Sequence, residues 1–141
     1  MNKCLMKQMT FRLKPGQLLR EEIETFADAN NIQAGVLLSV VGGLENAVLR
    51  MAGSDSDAQY VKEWNEPFEI VSGTGTISKN GCHIHASLSD REGRVIGGYL
   101  RQGCRVKYTA EMVIGIFDDM IYERIPDEQT GFDELVVKAV S

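Results

Sequence analysis

The strongest constraint on the fold lies in residues 78–100, SKNGCHIHASLSDREGRVIGGYL, where an alternating segment stands between two turn signals. Asn80-Gly81 is typical of a two-residue hairpin loop, because both positions of such a loop favour positive φ angles. Arg91-Glu92-Gly93 is typical of a three-residue loop with the glycine in the left-handed conformation. Together the two signals predict three consecutive antiparallel strands.

An amphipathic helix is predicted in KPGQLLREEIETFADANNI, with Pro15 in its first turn and Asn30 and Asn31 at its end. Its apolar residues recur at helical spacing: Leu19, Ile23, Phe26 and Ala27. Further strands are predicted in AGVLLSVVGG, which should end at a bend at residues 42–43, and in ENAVLRMA, YVKEW, EPFEIVSGTGTIS, CRVKYTAEMVIGIF, MIYER and ELVVKAV. We therefore predict one α+β domain over residues 1–141, a mostly antiparallel sheet with one main helix packed on it.

Composition excludes several classes of protein. Hydrophobic residues make up 43% and charged residues 25% of the 141 residues, as in ordinary globular chains. No apolar run approaches the length of about 18 residues that a membrane span needs, and no targeting segment is apparent. Cys4, Cys82 and Cys104 contain no C-x-x-C pair, which favours a reducing cytoplasm over a disulfide scaffold. No catalytic motif occurs, so we predict that the chain is not an enzyme.

The histidines of the chain, His83 and His85, share one side of the predicted strand because alternate strand residues point to opposite faces. A loop at residues 80–81 places Ser78 opposite His83. The same register places Thr76 opposite His85.

The second loop, at residues 91–93, places Tyr99 opposite His85 on the other neighbouring strand. Gly97 and Gly98 would leave room there for another backbone or a ligand. The predicted polar face consists of Thr74, Thr76, Ser78, His83, His85, Tyr99 and Arg101.

Three interpretations of this face remain open. The imidazoles of His83 and His85 could form half of a site for a divalent metal such as zinc, although a catalytic zinc needs three protein ligands. With Arg101 opposite His83, the face would also suit a negatively charged ligand. The third interpretation is a set of ordinary hydrogen bonds on a surface or a subunit interface.

Basic residues concentrate in residues 91–107, while the chain as a whole carries a formal charge of −5 and a pI of about 5.0. That balance opposes binding to a phosphate backbone unless a local basic patch forms. The patch is either solvated surface or a set of nucleic-acid contacts made by Arg91, Arg94, Arg105 and Lys107.

In combination, KPGQLLREEIETFADANNIQAGVLLSVVGGLENAVLR, PFEIVSGTGTIS and HIHASLSDREGRVIGGYL resemble the PPC domain, the Plants and Prokaryotes Conserved domain, over roughly residues 9–117. The resemblance implies a homotrimer whose subunits are antiparallel sheets with a packed helix, and a DNA-binding role. It also implies contacts with partner proteins through Phe68, Glu69 and Ile70, which match the FEI region of plant members.

Two features depart from the family pattern. Members commonly have G-G-H-L where this chain has Gly97-Gly98-Tyr99-Leu100, and in metal-binding members that third histidine joins the H-x-H pair. A phenol, whose ordinary pKa is about 10, is a far poorer ligand at neutral pH than an imidazole. The second departure is that no AT-hook of the R-G-R-P type occurs.

The main hypothesis is therefore an oligomeric, cytoplasmic binding module, a homotrimer with a DNA-associated or regulatory role. The alternatives are a metal-binding or small-ligand-binding protein that uses the His83 and His85 face, and a purely structural oligomer.

Overall fold

The computed structural model describes residues 5–140. Residues 1–4 and 141 lie outside the described residues, and with them Cys4 and both ends of the predicted 1–141 domain. The elements follow in this order: β1 (Lys7–Leu13), α1 (Leu19–Ala29), β2 (Ala34–Leu44), β3 (Ala47–Arg50), β4 (Val61–Trp64), β5 (Phe68–Ser78), β6 (Gly81–Ser89), β7 (Val95–Leu100), β8 (Val106–Ile116), β9 (Met120–Pro126) and β10 (Asp133–Ala139).

Eight strands form one antiparallel sheet in the order β1-β8-β2-β5-β6-β7-β3-β4, and β9 pairs with β10 in a separate two-stranded sheet. The core contains Leu19, Ile23 and Ala27 of α1 together with Ile84 and Leu88 of β6, all of them buried. The predicted α+β class, with a mostly antiparallel sheet and one main helix, is confirmed. Within residues 5–140, no helix is long and apolar enough to span a membrane.

Helix α1 begins at Leu19, four residues after Pro15, so the prediction of Pro15 in its first turn is wrong. Gly16 has a φ of 89° and donates its backbone N–H to Val106 at 2.9 Å, which holds the preceding segment against β8 in a non-helical conformation. The predicted end is correct, since Asn30 is the C-cap and Asn31 has a φ of 52°.

Strand β1 was not predicted, because lysine, glutamine and arginine interrupt its hydrophobic residues. It pairs with β8 from Lys7 opposite Ile116 to Leu13 opposite Ala110. Met9, Phe11 and Leu13 are less exposed than the residues between them, so β1 has the alternation of a half-buried strand. Phe11 also stacks on Phe26 of the helix, with ring centroids 3.8 Å apart.

Strand β2 continues through residues 42–43 to Leu44, so the predicted bend there does not end it. The β2–β8 register shifts between Gly42 and Gly43 instead. Gly42 has a φ of 157°, and a Cβ atom at this position would collide with the carbonyl oxygen of Thr109. Glycine therefore allows β2 to pass this irregularity and remain a strand.

The hairpin between β5 and β6 differs from the predicted register by two residues. Ser78 pairs with Gly81 and Thr76 with His83, so the loop is Lys79-Asn80 rather than Asn80-Gly81. The cause is a tertiary contact: the side-chain amide of Asn80 donates to the carbonyl of Arg124 at 2.9 Å and accepts its backbone N–H at 2.8 Å. A shift of two residues leaves every side chain on its predicted face.

The hairpin between β6 and β7 has the predicted register. His85 pairs with Tyr99 and Leu88 with Ile96. Gly93 has a φ of 81°, as a three-residue loop requires.

The β9–β10 hairpin packs beside the end of the main sheet. Besides the two bonds to Asn80, Lys79 donates its backbone N–H to Tyr122, and Tyr122 donates its own to Gln33, each at 2.9 Å. These contacts bring Arg124 of β9 and Glu134 of β10 to the side of β6 that carries the histidines.

Candidate functional site

The alternation of β6 separates its two faces as predicted. Cys82, Ile84, Ala86 and Leu88 are buried in the core, whereas His83 is half-buried and His85 exposed on the other side. The Nε2 atoms of the histidines lie 3.0 Å apart, a hydrogen-bonding distance at which one ring donates and the other accepts. The pair is therefore a coupled unit on the non-core face of the sheet.

Tyr99 lies beside both histidines, with its ring centroid 4.9 Å from that of His83 and 5.8 Å from that of His85. Strand β3 pairs Arg50 with Tyr99, and the Arg50 guanidinium lies over the tyrosine ring at 4.3 Å from its centroid. This arrangement is a cation–π contact. Tyr99 thus connects the histidine pair to a permanent positive charge.

We define the arginine cavity, of about 340 Å³, by Arg20 of α1, Arg50 of β3, His83 of β6, Tyr99 of β7 and Arg124 of β9. It forms at the end of β6, where residues 81–83 extend beyond the pairs that join β6 to β7. The remaining lining residues are Asn80, Gly81, Cys82, Phe132, Asp133 and Glu134.

Sequence reasoning did not find Arg20, Arg50 or Arg124, because they lie on three elements that are far apart in the chain. Arg20 donates to the carbonyl of Leu100 at 2.9 Å and to Glu24 at 3.1 Å. Arg124 donates to the Thr76 hydroxyl at 2.8 Å. No local pattern marks these residues, so only the tertiary structure reveals the cluster.

Burial and, to a smaller extent, the nearby charges of Arg124, His85 and Arg50 lower the pKa of His83 to about 4, while Glu134 opposes the shift. The imidazole of His83 is therefore neutral at pH 7. A neutral ring beside guanidinium groups can accept or donate a hydrogen bond and adds no charge to the cavity.

The predicted polar face is only partly assembled. Tyr99 lies opposite His85 as predicted. Thr76 lies on the same face but opposite His83, and Thr74 takes the predicted place of Thr76 opposite His85. Ser78 is 4% exposed, and its hydroxyl is directed toward the carbonyl of Gly81, because the shifted loop makes Ser78 and Gly81 the last pair of the hairpin. Arg101 follows the end of β7 and donates to Gln59 at 3.1 Å, away from the arginine cavity.

Gly97 and Gly98 were predicted to leave room for another backbone or for a ligand, and the backbone of the neighbouring strands lies close to both. A Cβ atom on Gly97 would lie 2.9 Å from the carbonyl oxygen of Ala86, and one on Gly98 would lie 2.7 Å from that of Arg50. Both glycines also line an open groove of about 530 Å³ beside His85.

The donor groups around His83 and His85 do not fit a resident divalent metal. Within residues 5–140, no group of three or more His, Cys, Asp or Glu side chains could hold a metal ion. The third neighbour is the phenol of Tyr99, and the positive charge of Arg50 beside it opposes the binding of a cation.

The described cysteines do not supply the missing ligand. Burial raises the pKa of Cys82 to about 12 and that of Cys104 to about 11, so both thiols stay protonated at neutral pH. Both side chains are buried in the core, as the alternation of β6 predicts for Cys82. They pack as small apolar residues.

The predicted partner-contact region offers only one side chain to solvent. Phe68 and Ile70 are 4% and 8% exposed and belong to the core, whereas Glu69 is exposed. The period of two in β5 alternates these residues between faces, and the FEI pattern alone does not say which face is covered.

The four predicted nucleic-acid contacts do not form one patch. Arg91 and Lys107 line a second cavity, of about 330 Å³, together with Glu69 and Tyr108; we call it the tyrosine cavity. Arg94 pairs with Asp90 and Glu92 in its own turn. Arg105 lies 3.9 Å from Glu45 and donates to the carbonyl of Gly16.

Tyr108 is a residue of the tyrosine cavity that sequence reasoning did not find. It is 72% exposed and has a φ of 66°, a left-handed conformation that is uncommon for a bulky residue. The neighbouring Lys107 places its Nζ 5.4 Å from the centroid of the tyrosine ring.

Comparison with known proteins identifies relatives of several kinds. The chain is 40% identical over 130 residues to the bifunctional protein GlmU of a Synechococcus strain, and 27% identical over 114 residues to AT-hook motif nuclear-localized protein 13 of Arabidopsis thaliana. These matches cover 92% and 74% of this chain. They cover only 20% and 25% of the relatives, so the chain spans a quarter or less of their length.

Two solved structures share the fold over nearly the whole chain. A hypothetical protein from Salmonella is 30% identical with a TM-score of 0.92, covering 99% of both chains. A metal-containing protein from Archaeoglobus fulgidus is 31% identical with a TM-score of 0.82, covering 96% of this chain and 99% of its own. The family description that matches residues 3–118 is the Plants and Prokaryotes Conserved (PCC) domain, and the chain therefore belongs to that family.

Proposed function

We propose that this chain is a non-enzymatic binding module that assembles as a homotrimer and associates with DNA. Membership of the Plants and Prokaryotes Conserved family and the similarity to an AT-hook protein support the DNA association. The buried, reduced Cys82 and Cys104 support a cytoplasmic location.

The observation that carries the assembly is an uncovered apolar patch formed by Leu38 and Val41 of β2 and Val71 of β5, which are 46%, 59% and 57% exposed. Strands β2 and β5 pair Leu37 with Gly75 and Gly43 with Glu69. The same register places Val41 opposite Val71. Adjacent exposed apolar side chains favour burial against another surface. We infer that further copies of this chain cover the patch and close the assembly by symmetry.

Sedimentation equilibrium tests the assembly. We expect a particle of three chains of 15.6 kDa each, and dissociation when Val41→Glu places a charge in the patch. Val137→Glu is the matched control, because Val137 is 54% exposed on β10 of the separate sheet. A monomeric wild-type protein, or an intact trimer in the Val41→Glu variant, would contradict the proposal.

The DNA association depends on the tyrosine cavity, because Arg91 and Lys107 are the predicted basic residues that meet in one place. The formal charge of −5 weakens this binding, and the neutralisation of phosphates by Arg91 and Lys107 makes it dependent on salt. Contacts with other proteins would use the exposed Glu69 at the same cavity.

Fluorescence anisotropy with a DNA duplex at several salt concentrations tests this part of the proposal. Replacing both Arg91 and Lys107 by Gln should reduce the slope of log affinity against log salt by about one for each phosphate that the variant no longer neutralises. Replacing the ion-paired Arg94 and Arg105 by Gln is the matched control, with an unchanged slope. Binding by the wild-type protein that does not depend on salt would overturn the proposal.

A further inference from the structure

The arginine cavity contains two guanidinium groups without an ion pair. Arg20 is engaged with Glu24 and with the Leu100 carbonyl. In contrast, neither Arg50 nor Arg124 pairs with a carboxylate of the described residues. Among residues 5–140, therefore, no carboxylate forms an ion pair with the positive charges of Arg50 and Arg124 in this cavity.

Aromatic rings hold Arg50 in position. Its guanidinium lies 4.3 Å from the ring centroid of Tyr99 and 4.9 Å from that of Phe132. Contacts with ring faces leave the N–H groups of a guanidinium available, and no side-chain hydrogen bond engages them within residues 5–140. Arg50 is thus positioned with its donors unused.

Arg124 approaches the same space from β9. Its Nη2 atom donates to Thr76 at 2.8 Å, which fixes the side chain across the end of β5 and β6. Arg124 and Arg50 both lower the pKa of His83, so both positive charges lie near that ring. Two fixed guanidinium groups around one neutral ring are a suitable environment for an oxyanion.

The other wall of the cavity carries the opposite charge. Asp133 and Glu134 line it from β10, and Glu134 is close enough to His83 to raise its pKa. A bare anion would be attracted by the arginines and opposed by these carboxylates. A molecule with an oxyanion at one end and hydroxyl or amino groups at the other matches both walls.

Four of the eleven residues that line this cavity lie outside the region that matches the family. The family match ends at residue 118, whereas Arg124, Phe132 and Glu134 belong to the β9–β10 hairpin. The hairpin closes the cavity through the Asn80–Arg124 hydrogen bonds and the contact between Phe132 and Arg50. The site therefore requires the β9–β10 hairpin as well as the main sheet.

We propose that the arginine cavity binds a small organic molecule that carries a phosphate or carboxylate group, with Arg50 and Arg124 binding the oxyanion and Asp133 and Glu134 binding hydroxyl or amino groups. A volume of about 340 Å³ is sufficient for a small metabolite. All the residues come from one subunit, so this proposal does not depend on the trimer or on DNA binding.

Titration calorimetry with inorganic phosphate and, separately, with acetate tests the proposal, with chloride holding the ionic strength constant. We expect saturable binding of at least one probe, and the stronger probe identifies the oxyanion. Replacing both Arg50 and Arg124 by Gln should weaken binding at least about tenfold, because it removes the charge-assisted hydrogen bonds to the oxyanion. Replacing both Arg94 and Arg105 by Gln removes the same charge outside the cavity, at residues that are ion-paired on the surface, and should leave the affinity unchanged.

A second variant keeps the test valid if the double arginine variant fails to fold. Glu134→Gln removes a negative charge from the cavity and should tighten phosphate or acetate binding severalfold. Nuclear magnetic resonance shifts during the titration should concentrate at His83 and Tyr99. Absence of saturable binding, equal affinity in the arginine variant, weaker binding by Glu134→Gln, or shifts centred on Lys107 would each overturn the proposal.

Discussion

Two ion pairs of this chain have almost the same geometry in very different surroundings. Nε of Arg20 lies 3.1 Å from Glu24, and Nε of Arg94 lies 3.2 Å from Asp90, each pair being four residues apart. The side chain of Arg20 is 11% exposed and that of Arg94 is 73% exposed. Water screens the exposed charge and competes for its hydrogen bonds. Burial, more than the number of nearby cations in the sequence, therefore distinguishes the arginine cavity from the predicted basic patch.

The largest effect is expected at Arg20. Arg20→Gln leaves the Leu100 carbonyl and the Glu24 carboxylate without their charged donor, and should lower the free energy of unfolding by about 2 kcal/mol. Arg94→Gln should have no effect beyond experimental error, because its ion pair is exposed to solvent. Urea denaturation of the two variants checks this difference. Equal losses would show that burial does not separate the two regions.

The next effect concerns metal binding at the histidine pair. Tyr99→His would place a third imidazole opposite His85, which completes the three protein ligands of a catalytic zinc site. We expect zinc content to rise well above the wild-type level of less than about a tenth of an equivalent, but to stay below one equivalent per chain because the charge of Arg50 still opposes the cation. Elemental analysis of untagged protein measures this. Tyr108→His is the control, because that exposed residue has no histidine neighbour and should bind no zinc; zinc content at the wild-type level in Tyr99→His would contradict the prediction.

The smallest effect is the pH dependence that His83 contributes. Its pKa is about 4 in the folded protein and about 6.5 in the unfolded chain, so the unfolded state binds more protons between these values. The contribution of His83 to the free energy of unfolding should therefore be constant above about pH 6.5 and should decrease as the pH falls toward 4. Urea denaturation at pH 7 and pH 5 should show a smaller loss in His83→Gln than in the wild type. A His83 resonance that titrates near pH 6.5 would contradict the prediction.

Local patterns predicted the fold more completely than the site. The alternation of β6 and the turn at Gly93 gave the histidine face and its Tyr99 neighbour, because both depend on interactions between adjacent strands. The other hairpin was shifted by two residues because Asn80 binds β9, a contact between distant segments. Strand β1 was missed although Met9, Phe11 and Leu13 alternate with polar residues.

The arginine cavity could not be predicted from the sequence, because segments that are distant in the chain supply the arginines that meet in it. Arg20, Arg50 and Arg124 come from a helix and two separate sheets, and each is held by partners that lie far away in the chain. In the sequence, the visible cluster of basic residues is 91–107, but Arg91 and Arg94 belong to the turn between β6 and β7 whereas Lys107 lies at the start of β8. Of these, Arg94 is neutralised within that turn.

The side chain of Asn80 has a consequence for the lifetime of the protein. In asparagine followed by glycine, the next backbone nitrogen readily attacks the side-chain amide carbon and ammonia leaves, and the resulting cyclic imide hydrolyses to isoaspartate or aspartate. Such a conversion removes the donor that Asn80 offers to the Arg124 carbonyl and adds a negative charge at the base of the β9–β10 hairpin. In stored protein the contact between Asn80 and the β9–β10 hairpin would thus be lost first, and the wall of the arginine cavity would become mobile before the main sheet does.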